Sequence, residues 1–118
     1  MPKLLIVDDE VDIREFAKKF FKKRNLEVFT SSRGDEALSV IEKEKPDLVL
    51  LDIRMEGMTG VEVLRQLREN HNNIKVVMVT GVEEEEIVNE VNNLGALGYV
   101  HKPLVLDELE KIVLKEIT

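Results

Sequence analysis

Short apolar runs recur along the chain and are typical of strands buried inside a parallel sheet. The first is Leu-Leu-Ile-Val at residues 4–7, and the clearest is Leu-Val-Leu-Leu at residues 48–51, which has an aspartate at each end. Such runs are too short for a helix core, and their lack of polar alternation indicates burial on both faces. The pattern predicts five strands, at residues 3–7, 26–30, 47–52, 74–79 and 98–101.

Between these runs, apolar residues recur at every third or fourth position, which is the spacing of one helix face. In the first such segment the pattern places an apolar face inward and a set of lysines outward, and Asn25 ends the helix. The residues of that face are Ile13, Phe16, Ala17, Phe20 and Phe21. Four further helices are predicted around residues 34–41, 61–67, 83–94 and 109–117. Strict alternation of strand and helix predicts an α/β fold, a parallel sheet with helices on both faces.

Composition and charge exclude several classes of function. The 118 residues suffice for one domain, so we expect a single domain over residues 1–118. The net charge of −7 argues against direct binding of nucleic acid, which needs a basic face. The chain has no cysteine, which excludes disulfides and thiolate chemistry and fits a cytoplasmic location. We expect neither a signal peptide nor a membrane partner, because no apolar run has the necessary length.

Polar residues that carry chemistry follow or end the predicted strands. Asp8 and Asp9 follow the first strand, Asp52 ends the third, Thr80 follows the fourth and Lys102 follows the fifth. Because the carboxyl ends of parallel strands meet at one edge of the sheet, we expect these side chains to converge. Clustered carboxylates repel one another, and a hard cation with oxygen ligands, Mg²⁺ first, would relieve that repulsion. A lysine and a hydroxyl at the same place suit a phosphoryl group.

With these residues in this order, the chain resembles over its whole length the receiver domains of bacterial two-component response regulators. The resemblance implies a flavodoxin-like fold with strand order 2-1-3-4-5. It implies that Asp52 accepts a phosphoryl group from a sensor histidine kinase or a phosphotransfer protein, and that Lys102 binds a phosphoryl oxygen. The chain would then be a phosphorylation-activated signalling switch rather than an enzyme.

The resemblance also assigns metal ligands. Mg²⁺ would be bound by Asp9, by Asp52 and by the backbone carbonyl of Arg54, with Asp8 acting mostly through water. The chain departs from the usual family pattern at Glu56, where a proline is common, and we expect a looser loop there.

Further residues are assigned to switching and to the lifetime of the signal by the same resemblance. Thr80 and Tyr99 match the family's switch pair, which couples phosphorylation to the surface of the fourth helix, fifth strand and fifth helix. That surface would bind a downstream protein, an output domain of the same chain, or a second copy in a homodimer. Arg54 and Val82 flank the path of the water that hydrolyses the acyl phosphate.

Other functions fit the residues less well. A metal-dependent phosphatase with an aspartyl nucleophile needs an Asp-x-Asp motif, which Asp8 and Glu10 only half match, and a cap for which the length leaves no room. A flavodoxin-type cofactor binder needs a phosphate loop where the chain has an acidic turn. A degenerate receiver that only binds protein conflicts with the intact acid, threonine and lysine set. A stand-alone regulator and a fragment of a longer chain are both compatible with the sequence.

Two local features have simpler interpretations. Asp9 and Glu10 precede the first helix, where acids commonly favour the helix N-terminus. The fourth helix is rich in β-branched residues and asparagine, which are poor helix formers, so we expect a weak helix. A weak element is what a switch would move.

Overall fold

A computed structural model describes residues 1–81 and 84–117, and within them five strands alternate with five helices as predicted. The strands are β1 (Lys3–Val7), β2 (Glu27–Ser31), β3 (Leu48–Asp52), β4 (Val76–Thr80) and β5 (Gly98–His101). The helices are α1 (Val11–Lys22), α2 (Gly34–Glu44), α3 (Gly60–Glu69), α4 (Glu85–Asn93) and α5 (Leu106–Ile117).

All strand pairs are parallel, and the sheet order is β2-β1-β3-β4-β5, which confirms the predicted topology. The register brings the carboxyl ends of the central strands to one edge. Val7 lies opposite Leu51, and Thr80 lies opposite His101. The residues that follow β1 and β5 are therefore neighbours of the last residues of β3 and β4.

The core has two layers because alternate strand residues face opposite sides of the sheet. One layer packs against α2, α3 and α4, and the other packs against α1 and α5. All five residues of β3 and of β4 are buried, which explains why their apolar runs do not alternate with polar residues. Each leucine or isoleucine buried here contributes about 1.5–3 kcal/mol to folding.

The prediction that Phe16 faces the core is wrong, because its side chain is 64% exposed. The buried face of α1 is centred on Ala17 and Phe21, and Ile13 and Phe20 lie at its borders. Phe16 is one residue from Ala17 and so lies about 100° around the helix from it. Among the described residues, no helix has both the length and the apolar character that crossing a membrane requires.

Candidate functional site

The structure brings three of the predicted site residues into the protein interior at the carboxyl edge of the sheet. Asp8 is 2% exposed, Asp52 is 3% exposed and Thr80 is fully buried. The neighbouring Asp9 is exposed and faces a shallow pocket shared with the β2–α2 and β3–α3 loops. The acidic pair thus divides into one buried and one exposed carboxylate.

Lys102 joins the buried acids of two strands. Its backbone N–H donates to the carbonyl of Thr80 at 2.7 Å, and this hydrogen bond holds residue 102 beside the end of β4. Its ammonium lies 3.0 Å from Asp8 Oδ2 and 3.2 Å from Asp52 Oδ2. A third carboxylate, that of Glu10, lies 3.3 Å from the same nitrogen. The predicted convergence of Asp8, Asp52 and Lys102 is therefore observed, and Glu10 joins it.

One lysine does not neutralise this site. Burial and the negative charge of Asp8 raise the pKa of Asp52 from 3.8 to about 6, although Lys102 acts in the opposite direction. Burial alone lowers the pKa of Lys102, but its hydrogen bond to Asp8 and the charge of Asp52 outweigh that effect and raise it. The raised pKa of Asp52 indicates that a further positive charge would stabilise the ionised form of this site.

The donor set fits a hard divalent cation. Asp8, Asp9 and Glu10 each offer a carboxylate oxygen, and these oxygens lie within 4.8 Å of one another. Asp8 is held in place because its Oδ1 accepts from the backbone N–H of Glu10 at 2.9 Å and its carbonyl accepts from Arg14 at 2.7 Å. Ligands that are all oxygen, with no sulfur or imidazole among them, are what Mg²⁺ prefers.

The loop after Asp52 is fixed by a close approach of backbone to backbone. Gly60, the first residue of α3, donates its N–H to the carbonyl of Ile53 at 2.8 Å. A Cβ at Gly60 would lie 2.1 Å from the backbone oxygen of Asp52, so only glycine fits this position. Thr59 caps α3 by accepting from the N–H of Glu62 at 3.2 Å. The start of α3 thus sets the position of the Asp52 backbone.

Arg54, predicted to tune the signal lifetime, makes a contact outside the carboxylate cluster. Its guanidinium donates to Glu84 Oε1 at 2.9 Å, immediately before α4, and more than half of each side chain is exposed. Its backbone carbonyl as a metal ligand stays a prediction. Val82 lies outside the described residues, and its predicted role in the lifetime of the signal remains untested.

The predicted switch pair occupies neighbouring strands. Thr80 ends β4, and Tyr99 lies in β5 opposite Met78. The Tyr99 ring is partly buried and contacts the ring of His101 edge-on, with centroids 5.2 Å apart. This arrangement puts both residues on the α4 side of the site, and their switching role stays a prediction.

Sequence reasoning missed the contact that Glu10 makes with the site. The carboxylate reaches Lys102 across 92 positions of sequence, and no local pattern reports such a pairing. The capping of α3 was also missed, although its signal is present. Thr59 and Glu62 have the Thr-x-x-Glu spacing of a capping box.

Comparison with known proteins points to one family. Residues 4–114 match the family model described as the response regulator receiver domain. Over 113 residues the chain is 39% identical to sporulation initiation phosphotransferase F of Bacillus subtilis, and the match covers 96% of this chain and 91% of that protein. It is 37% identical to the regulatory protein AtoC of Escherichia coli over 94% of this chain and 24% of that protein.

Solved structures have the same fold. The chemotaxis protein CheY4 of Vibrio cholerae superimposes with a TM-score of 0.91 and 30% identity, over 98% of both chains. A CheY-like receiver domain protein of Methanospirillum hungatei gives a TM-score of 0.89 and 34% identity, over 98% of this chain and 93% of that one.

Proposed function

Because the chain belongs to the response regulator receiver domain family, we propose that Asp52 is its phosphoacceptor and that phosphorylation there changes a protein-binding surface. The observation that supports this most strongly is the placement of Lys102. Its ammonium lies 3.2 Å from the buried carboxylate of Asp52, where it can bind an oxygen of an incoming phosphoryl group.

In the proposed reaction, a carboxylate oxygen of Asp52 forms a bond to phosphorus. The bond between phosphorus and the imidazole nitrogen of a phosphohistidine breaks, and that nitrogen keeps the electron pair. Lys102 stabilises the negative charge of the transferred oxygens. Mg²⁺, when bound by Asp8, Asp9, Asp52 and the Arg54 carbonyl, supplies the positive charge that lets an anionic donor approach these acids.

The same site accounts for a switch rather than an enzyme that turns over a separate substrate. The acyl phosphate on Asp52 is a state of the protein itself. Water attacks its phosphorus, the bond from phosphorus to the Asp52 oxygen breaks, and inorganic phosphate leaves, which restores the starting carboxylate. We propose that Thr80 turns its hydroxyl toward the phosphoryl oxygens and that Tyr99 fills the space left behind. The surface of α4, β5 and α5 then changes its affinity for a downstream protein or an output domain.

An apolar groove beside the site supports a protein as the phosphodonor. Ile13, Phe16, Leu104 and Leu106 line it, with Lys102 at the site end. Phe16 is exposed and the other three are partly buried, and apolar patches on a protein surface often mark contact sites for other proteins. We therefore propose a cytoplasmic histidine kinase or phosphotransfer protein as the donor.

The test is uptake of one phosphoryl group, followed by intact mass after incubation with a small phosphodonor. Wild-type protein should gain the group with Mg²⁺ and not with a chelator. Asp52→Asn should gain none. Asp47→Asn is a matched control, since it removes the same charge at the other end of β3, where Asp47 accepts from the Lys3 backbone at 2.7 Å. Labelling of Asp52→Asn at an unchanged rate would contradict the assignment.

A further inference from the structure

Glu10 directs its side chain to the site rather than to its own helix. It is the N-cap residue of α1, with an extended backbone at φ −89° and ψ 115°, but it makes no side-chain capping hydrogen bond. Glutamate is not among the residues that usually cap a helix with their side chain, so its carboxylate is available for another partner. The carboxylate instead lies 3.3 Å from Lys102 Nζ.

Three carboxylates surround the Lys102 ammonium, one for each of its N–H donors. A lysine ammonium carries three N–H donors, and Asp8, Asp52 and Glu10 lie around it at 3.0, 3.2 and 3.3 Å. A phosphoryl oxygen on Asp52 needs one of these donors. When the phosphoryl group arrives, its oxygen competes with the existing contacts, and because the Asp52 carboxylate loses its own charge, the competition that matters is with the neighbouring acids Asp8 and Glu10.

Between the two neighbouring acids, burial favours release of Glu10 rather than Asp8. The side chains of Asp8 and Asp52 are 3% and 4% exposed, whereas that of Glu10 is 60% exposed. Releasing Asp8 would leave a buried carboxylate without its cation, which is strongly unfavourable. Water can solvate Glu10 after its release, because more than half of its side chain is already exposed.

We infer that Glu10 is a positioning residue that occupies the third donor of Lys102 in the unphosphorylated protein and is displaced by the phosphoryl oxygen. This inference rests on the proposed function, because it concerns a phosphoryl group on Asp52. Whatever free energy the Glu10–Lys102 contact supplies is lost on phosphorylation. The contact therefore favours the unphosphorylated state.

Two rival roles make different predictions. As a metal ligand, Glu10 would be required for Mg²⁺ affinity, since its carboxylate lies near those of Asp8 and Asp9. If Glu10 acts only through its negative charge near the entrance of the site, a shorter acidic side chain at position 10 should act equally well. Aspartate at position 10 distinguishes the second case, because it is a preferred N-cap residue and would turn toward α1 while keeping the charge.

The experiment measures binding of beryllium trifluoride, a noncovalent phosphoryl mimic, in saturating Mg²⁺ by calorimetry. Glu10→Gln should bind it about three- to fivefold more tightly, the range expected for loss of one exposed competing ion pair. Glu10→Asp should shift affinity in the same direction. Glu15→Gln, which removes an exposed charge from the same helix, should bind like wild type. In a Lys102→Met background, Glu10→Gln should have no effect.

Unchanged or weaker binding by Glu10→Gln would overturn the inference, and so would wild-type affinity in Glu10→Asp. A Mg²⁺ titration without the mimic is the second readout. Glu10→Gln should weaken Mg²⁺ binding less than about threefold, while a loss of tenfold or more would make Glu10 a metal ligand instead. The proposed function fails separately, if wild type takes up no phosphoryl group or if Asp52→Asn still does.

Discussion

The surroundings of Asp52 have a buried half and an exposed half that are held together differently. The buried half consists of Asp8, Asp52 and Lys102, whose side chains are at most 17% exposed and are joined by contacts of 3.0 and 3.2 Å. The exposed half is the pair of Arg54 and Glu84, 2.9 Å apart, with side chains 65% and 55% exposed. Both halves are ion pairs, but only the first excludes water.

Because of this difference in solvent exposure, we expect a lost charge to have different effects in the two halves. Removing Lys102 from the buried half leaves two carboxylates uncompensated in a poorly solvated place, which costs several kcal/mol. In the exposed half, water and salt replace a lost partner, and the effect stays below about 1 kcal/mol. Under the proposed function, we expect the buried half to control whether phosphoryl transfer occurs and the exposed half to adjust how the rest of the protein responds.

The two ends of helix α4 also differ in their contacts, because one end has a partly buried partner and the other an exposed ion pair. At its C-terminal end, the partly buried guanidinium of Arg68 donates to the carbonyls of Leu94 at 2.6 Å and Ile74 at 3.0 Å. At its N-terminal end, the described contact is the exposed pair of Arg54 and Glu84, and Glu84 makes no side-chain cap. We therefore expect the N-terminal end of α4, which the exposed pair holds, to be displaced more easily than the C-terminal end.

The largest expected effect lies in the buried half. The pKa of Asp52 is raised to about 6, so the native protein binds its proton more tightly than the unfolded chain does. Stability is therefore lost as pH rises from 3.8 to about 6. Without metal, Asp52→Asn should be more stable than wild type by about 1–3 kcal/mol near pH 8.

Urea denaturation at several pH values measures this gain. The difference between Asp52→Asn and wild type should shrink toward zero near about pH 4, where both side chains are neutral. Saturating Mg²⁺ should also reduce it, because the ion stabilises only the protein that binds it. A gain that is the same at both ends of the pH range would show that burial of the charge is not its cause.

An intermediate effect concerns the lifetime of the phosphorylated state. We expect Val82→Gln to shorten it by up to about tenfold, or 1.4 kcal/mol in the barrier, because an amide can hold the attacking water and valine cannot. Arg54→Ala should shorten it too if the guanidinium leaves Glu84 to cover the phosphoryl oxygens. Decay of the phosphoprotein in Mg²⁺ is the measurement, and a longer lifetime in Arg54→Ala is the result that rejects this shielding.

The smallest effect belongs to the exposed pair itself. In the unphosphorylated protein, Arg54→Ala and Glu84→Gln should each speed amide exchange in the first turn of α4 by no more than about fivefold. Arg65→Ala, which breaks the exposed pair of Arg65 with Glu90, is the matched comparison for the middle of the helix. Equal changes along all of α4 would mean that its two ends are not held differently.

Phosphorylation should act on the same segment. We expect the largest changes in exchange within residues 81–99, since the element with the weaker attachment responds first. Changes confined to α2 would contradict that expectation.

The strand positions and the shared edge of the sheet were predicted because they depend on local sequence pattern. The bounds of β1 and β5 match those read from the apolar runs, and Asp52 was expected to share an edge with Lys102 because parallel strands end together. Strand order came from the family resemblance rather than from the pattern. Contacts between distant surface residues were not predictable, because nothing in the sequence selects Glu84 as the partner of Arg54.

Ala17 and Phe21 of α1 are buried as predicted, but Phe16 was mispredicted for a related reason. Periodicity gives the width of an apolar face but not its centre, and the six apolar residues of α1 exceed what one helix can bury against a face of the sheet. Packing selected Ala17 and Phe21, and Phe16 was left in the apolar groove beside the site. A sequence with surplus apolar residues on a helix cannot show which of them a partner covers.

The fit of Gly60 against Asp52 has a consequence for mutational scanning. Any side chain at position 60 places a carbon 2.1 Å from the Asp52 carbonyl oxygen, where ordinary contacts begin at 3.4 Å. Relief of that overlap would displace Asp52 by more than the margin that separates a hydrogen bond to Lys102 from none. A scan for signalling would therefore score Gly60 as severely as the phosphoacceptor, although glycine contributes no reactive group.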